Sequence, residues 1–221
     1  VLGPNFAVRS QVIVVTAILV ALLAPYLAPY PLDAYESHLL RRLKPPSAGH
    51  PFGTDNIGRD IFSRVILGTR SALIVSLSVV SGAMAIGVSL GLIAGFYGRW
   101  AGEAIMRVTD VFLAVPQLIL ALALAQLLSP SLESAMLALT LTYWPFFARI
   151  VYAETRRLKA SLFVDALQCI GASAPRIIFA HILPNAASPI IVRLTIGMGF
   201  TILTAAVLGF LDLGRGRGPP V

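Results

Sequence analysis

Residues 71–96 read SALIVSLSVVSGAMAIGVSLGLIAGF, without one charged side chain among them. A helix needs about 20 largely apolar residues to cross the hydrocarbon core of a bilayer. Four more stretches meet that length: about Ser10 to Tyr30, Thr109 to Ser129, Leu132 to Val151, and about Ser188 to Leu211. Pro116, Pro145 and Pro189 lie in or near these spans. Membrane helices tolerate proline where neighbouring groups satisfy the freed carbonyl. The expected class is therefore an all-α membrane protein, a polytopic bundle with about five transmembrane helices.

Composition agrees with this reading. Hydrophobic residues make up 57% of the 221 residues and charged residues 12%, with a mean hydropathy of +0.84. A soluble domain carries roughly twice that share of charge, so too little remains to build a water-facing surface. The net charge is +7. It fits a basic face against anionic lipid, and the scattered basic residues form no nucleic-acid signature. The single cysteine, Cys169, excludes an intrachain disulfide. The chain opens on Val1, so its natural N-terminus is expected to lie upstream. The first apolar stretch reads as a retained anchor rather than a cleaved signal.

Two polar excursions interrupt the spans. Residues 31–70 are too many for a hairpin turn, and residues 152–187 look folded. The domain reading is an N-terminal region and first helix over 1–30, a segment over 31–70 that is extracytoplasmic if the second excursion is cytoplasmic, and a core over 71–221. Five crossings put the two excursions on opposite sides of the membrane. The 17 lysines and arginines split nine to eight between the sides, so the positive-inside rule decides little. The cluster Arg156, Arg157, Lys159 leans toward a cytoplasmic second excursion.

Ala83, Gly87, Gly91 and Gly95 recur every fourth residue. They share one helix face, where missing side chains let a second helix approach. The segment from His50 to Asp60, HPFGTDNIGRD, is dense in turn formers. Gly53 and Gly58 permit positive φ, and Thr54 and Asp55 are suited to cap a short interfacial helix beginning near Ile57. A metal site from His50, Asp55 and Asp60 is the alternative, but the spacing matches no familiar ligand set.

The stretch Leu162 to Pro184 predicts helix, turn, helix. Leu162, Phe163, Ala166, Leu167 and Ile170 follow helical spacing, and Gly171 sits where a helix ends in the left-handed conformation. Ser173 is placed to cap a second helix with Pro175 in its first turn. Ile177, Ile178, Phe179 and Ile182 continue it to Pro184. Two uses fit such a unit: a knob docked in a partner's groove, or an interfacial helix lying on lipid.

No Gly-Lys-Ser/Thr phosphate loop exists, because Lys44 and Lys159 both follow leucine. HExxH and GxSxG are absent from the sequence as well. An intramembrane enzyme would need polar catalytic groups at bilayer depth. The spans offer Ser, Thr, Gln126 and, near their ends, Asp110, Glu133, Arg149 and Arg193. That reading and a passive structural subunit remain distant alternatives.

The run Asp165-Ala166-Leu167, then Gly171, then Leu183-Pro184 resembles the EAA loop of permeases from binding-protein-dependent ABC importers. GASAPRIIFAHILPNAASPIIV, HPFGTDNIGRDIFSRVILGTRSAL and ILTAAVLGFLDLG are similar to segments of the C-type permease in the dipeptide/oligopeptide/nickel branch. The resemblance covers almost the whole chain. It implies a MetI-like ABC-importer permease fold and import of peptides, with nickel or a metal chelate as the alternative cargo. It implies that Phe163, Asp165, Ala166, Leu167, Gly171, Ala172 and Pro184 form the ATPase-coupling loop, and that this loop is cytoplasmic. A transport subunit without enzyme activity or cofactor of its own follows, ATP and Mg being bound by partner ATPases. The implied partners are a homologous second permease, two cytoplasmic ATPases, an extracytoplasmic binding protein and lipid, in a prokaryotic cytoplasmic membrane. Asp165 stands where the family usually has glutamate, and Leu167 where it has alanine. His181 replaces an isoleucine, Ala205 a frequent glutamate and Asp212 a frequent glycine. Such permeases continue through one more helix, so a sixth span is expected beyond Val221.

Overall fold

A computed structural model describes residues 4–31, 38–128 and 131–210. The glycine-rich end after Phe210, with Asp212, lies outside the described residues. Helices dominate those described: α1 (Pro4–Leu27), α2 (Ile61–Tyr97), α3 (Arg99–Ala114), α4 (Gln117–Leu127), α5 (Leu132–Lys159) and α6 (Leu162–Cys169). A helical run over 174–185 follows, in which α7 (Ala174–Ile177) passes through a π-turn (Ile178–Ile182) into α8 (Leu183–Asn185). The last helix is α9 (Ala187–Phe210). Contacts divide the chain into two units, residues 1–74 and 75–221.

In the first unit, Ala24 and Ala28 pack with Ile66 and Leu67 near the start of α2. Small residues at and just past the end of α1 permit that approach. The Tyr30 N–H donates to Ser63 Oγ at 3.1 Å, satisfying backbone just past the end of α1. Between them runs a loop, 38–60, built from turns and one antiparallel bridge between Thr54 and Asp60.

Two glycines make this loop possible. Gly58 has φ +83, and a Cβ there would lie 1.9 Å from the His38 carbonyl oxygen. Gly53 has φ +73, and a Cβ there would lie 2.5 Å from the Lys44 carbonyl oxygen. Asp55 is the loop's polar centre. Its carboxylate accepts from the backbone N–H groups of Ile57 and Arg59, at 3.0 and 2.9 Å. The side chains of Arg59 and Arg64 also donate to it. Burial opposes its charge, yet those donors outweigh burial and hold the Asp55 carboxyl at about 2.

Asp60 is fully buried. It accepts from the Ser63 N–H at 2.8 Å, and its other oxygen lies 2.9 Å from His50 Nδ1. Burial works against its charge too. The bonds from Ser63 and His50 prevail and lower its pKa. The expectation of a short helix from Ile57, capped by Thr54 or Asp55, is therefore corrected. Asp55 closes a local turn, Asp60 caps, and the helix that starts at Ile61 is α2 itself. His50 and Asp60 pair with each other while Asp55 serves arginines. The described residues contain no cluster of three or more His, Cys, Asp or Glu able to hold a metal.

In the second unit α5 is central. Tyr143, Phe147, Ala148 and Val151 on it are buried. The small-residue face of α2 lies against this helix. A Cβ on Gly87 would come within 2.4 Å of the Trp144 carbonyl oxygen, and one on Gly91 within 2.8 Å of that of Ala148. At Gly95 the obstacle is Thr155 Cβ, 2.6 Å away. Ala83 is fully buried.

The third expected span, Thr109 to Ser129, is not one straight helix. α3 and α4 meet at a bend of 93°. Pro116 has no N–H to continue the ladder, and it drives Val115 to extended φ and ψ of −91° and 132°. Pro145, by contrast, stays within unbroken helix α5. Among the described residues, α2, α5 and α9 are each long and apolar enough to cross a membrane, and the bent pair forms a fourth candidate. α1 adds a shorter apolar stretch, Val15–Leu27. Exposed apolar side chains such as Val111, Ile119, Val192 and Leu203 suit a lipid surround.

Candidate functional site

The segment after α5 is a folded unit with two distinct faces. Ser161 precedes α6 in extended conformation, its hydroxyl donating back to the Leu158 carbonyl. α6 is held to the core by Val164, which is fully buried, and by the half-buried Leu167. The outward side carries Leu162 (86% exposed), Phe163 and Ile170 (79%), with Asp165 and Ala166 also exposed.

α6 ends sharply. The Gly171 N–H donates to the Gln168 carbonyl at 2.9 Å and the Ala172 N–H to that of Leu167 at 3.0 Å. These two bonds form a Schellman stop, which needs a left-handed residue. Gly171 supplies it at φ +79, with open space where a Cβ would stand. Its glycine is required by backbone conformation and not by crowding.

The chain then turns through Ser173 into the helical run of α7 and α8. Pro175 lies in the first turn of α7 as expected, but the Ser173 side chain makes no capping hydrogen bond. The run is anchored by Ile177, Ile178 and Ile182, all buried in the same core as Val164. Pro184 is exposed and Ala172 half-buried. Of the seven expected loop residues, Phe163, Asp165, Ala166, Gly171 and Pro184 face outward, while Leu167 and Ala172 lean on the core.

A second polar feature was not assigned from sequence. Asp110 of α3 and Arg149 of α5 form an ion pair, with side chains 47% and 49% exposed. The Arg193 guanidinium of α9 stacks on two rings of α5, 4.6 Å from the Phe146 centroid and 5.1 Å from that of Tyr143. Its Nε is buried without a hydrogen-bond partner among the described residues. Phe146 and Arg149 lie one turn apart on α5. Charged groups in spanning helices are costly against lipid and face polar surroundings. The signal was present in the sequence as three charges inside apolar stretches, but it takes the fold to pair them.

Comparison with known proteins follows the same lines. Residues 87–218 match the family model for the inner membrane component of binding-protein-dependent transport systems. The dipeptide transport permease DppC of Alkalihalophilus pseudofirmus is 44% identical over 95% of this chain and 68% of its own length. The probable D,D-dipeptide transport permease DdpC of Escherichia coli is 41% identical, over 96% and 70%. The oligopeptide permease OppC of Bacillus subtilis is 39% identical, over 95% and 68%. With its helical bundle and apolar spans, the chain belongs to the family of inner membrane components of binding-protein-dependent transport systems.

Proposed function

We propose that this chain is the C-type permease subunit of an ATP-driven importer of peptides, working with a homologous permease, two ATPase subunits and an external binding protein. The observation that carries the proposal is α6. It is fixed to the core by Val164, stopped by Gly171, and left with an apolar outward face beside Asp165. Such a face fits a groove on an ATPase subunit. Peptide is the proposed cargo because the relatives are named for dipeptide, D,D-dipeptide and oligopeptide transport.

The mechanism follows from rigidity. Val164, Ile177 and Ile182 tie α6 and the 174–185 run to α5 and the core, so a push on α6 moves the bundle as a body. Closure of the ATPases on ATP would bias the paired permeases between outward- and inward-open states. The family model's description, an inner membrane component, supports a location in the cytoplasmic membrane of a prokaryote, and α6 is assigned to the cytoplasmic side, where ATPase subunits would meet it.

One experiment tests docking and cargo together. In a Cys169→Ser background, Phe163→Cys or Ala166→Cys should crosslink to an ATPase subunit, and proteoliposomes should take up labelled dipeptide only with ATP and binding protein. Crosslinking to lipid probes alone would overturn the docking role. ATP-driven uptake of nickel with no uptake of peptide would overturn the cargo.

A further inference from the structure

At the end of the bundle where α5 gives way to α6, a cavity of about 550 Å³ opens between the ends of α2, α3 and α5. Arg99, Arg156 and Lys159 line it, with one carboxylate, Glu103, and the phenols Tyr97 and Tyr152. Three cations against one anion leave it positive.

Two of the three cations are held where they stand. Lys159 donates to the Phe96 carbonyl and lies over the Phe96 ring, 5.0 Å from its centroid. Arg156 donates to the Tyr152 hydroxyl at 3.2 Å. Arg99 sits at φ +47, a left-handed conformation that a side-chain-bearing residue adopts at a cost. Strained positions of this kind cluster at functional sites. Arg99 also opens α3, whose cap Gly98 offers no side chain to the free N–H groups.

The surroundings indicate depth. Trp100, next to Arg99, is 88% exposed, and Tyr97 is exposed as well. Exposed tryptophan and tyrosine at the end of a spanning helix belong at the headgroup level of a bilayer. A positive cavity at that depth meets anionic lipid.

We infer that this cavity binds the phosphodiester headgroup of an anionic phospholipid, held by Arg99, Arg156 and Lys159 with Tyr97 and Trp100 against the acyl boundary. The site adjoins α6 through Lys159 and Ala160. Lipid bound there would brace the joint between α5 and the docking helix. It rests on the chain being a membrane permease and not on which ATPase or cargo it serves.

The test uses the complete transporter in nanodiscs of phosphatidylcholine with added phosphatidylglycerol, and native mass spectrometry of the lipid it retains. Wild type should keep phosphatidylglycerol about tenfold more than the double variant Arg99→Gly, Arg156→Gln. Arg99→Gly alone should lose retention about threefold while its thermal midpoint holds or rises, because glycine relieves the backbone at φ +47. A purely structural arginine would not give that split. Retention should fall with salt and resist millimolar inorganic phosphate. Equal retention by the double variant would overturn the proposal, as would displacement by inorganic phosphate at the same concentration. Should the double variant shed the ATPase subunits with lipid retention unchanged, the cavity would be a protein-docking surface instead. A photoreactive phosphatidylglycerol supplies the second measurement. It should label the peptide carrying Tyr97 and Trp100 in unmodified transporter, and labelling elsewhere only would count against the site.

Discussion

The two polar excursions of this chain look alike in sequence and are built in opposite ways. The 38–60 loop pairs its two carboxylates with groups of the loop and of the first turns of α2. Asp55 takes two backbone N–H groups and two arginines, and Asp60 takes Ser63 and His50. The 161–186 segment is anchored by apolar side chains, Val164, Ile177 and Ile182, and leaves Leu162, Phe163, Asp165 and Ile170 facing outward. The first loop is braced by paired polar groups, although Leu40, Leu43 and Phe52 are exposed on it. The second is braced by buried apolar groups, and the apolar face it carries on that rigid base is shaped for something outside itself.

The largest expected effect strikes the first kind of loop. Replacing Asp55 by alanine removes four hydrogen bonds to one carboxylate. Its pKa of about 2 against 3.8 corresponds to about 2 kcal/mol of stabilisation. Hydrogen exchange at amides 53–60 should rise roughly thirtyfold, with α6 unaffected. The same shift sets a pH dependence. A lowered carboxylate pKa stabilises above the unfolded value near 3.8, and the contribution is lost as pH falls through about 2. Protection of 53–60 in unmodified protein should therefore hold at pH 5 and decline between pH 4 and 2. A loop that loosened between pH 7 and 5 would contradict the assignment to Asp55.

Next in size is Gly171→Val, which strikes the second loop through its backbone. A β-branched residue at φ +79 costs about 1–2 kcal/mol, roughly a tenfold fall in the population of the correctly stopped helix. ATP-driven uptake should drop about tenfold while membrane insertion stays normal. Gly171→Asn should keep most transport, since asparagine tolerates the left-handed region and nothing crowds a Cβ there. Equal damage from both would mean that side-chain volume matters at this position and not φ.

These cases also mark what sequence could reveal. Gly171 was legible because helical spacing before it and a proline after it bracket a turn. The α2 glycines were legible by their period, though only the fold identifies α5 as the helix they meet. The bend at Pro116 was not legible. Pro145 also lies inside an apolar span and leaves its helix unbroken, so proline alone does not distinguish a break from a tolerated kink. The Asp110–Arg149 pair escaped for a different reason. Its members are 39 positions apart, and no local pattern links charges on two helices. Capping at α2 was misplaced by five residues because Asp55 and Asp60 are equally good caps on paper. The Thr54–Asp60 bridge closes residues 55–59 into a turn, so the helix cannot start before Asp60.

That last point yields the smallest and sharpest contrast. Asp60 and Ser173 both precede helices and both belong to residue types that cap well. Asp60 does cap, through the Ser63 N–H at 2.8 Å, so Asp60→Ala should cost about 1 kcal/mol or more. Ser173 makes no such bond, and α7 after it is held instead by Ile177 and Ile178 in the core. Ser173→Ala should thus change the thermal midpoint of the purified transporter by no more than that of an exposed surface substitution, and leave uptake within about twofold. A loss of about 1 kcal/mol at Ser173 would mean that its hydroxyl caps α7 in the working transporter. The second loop would then share the internal polar bracing that distinguishes the first.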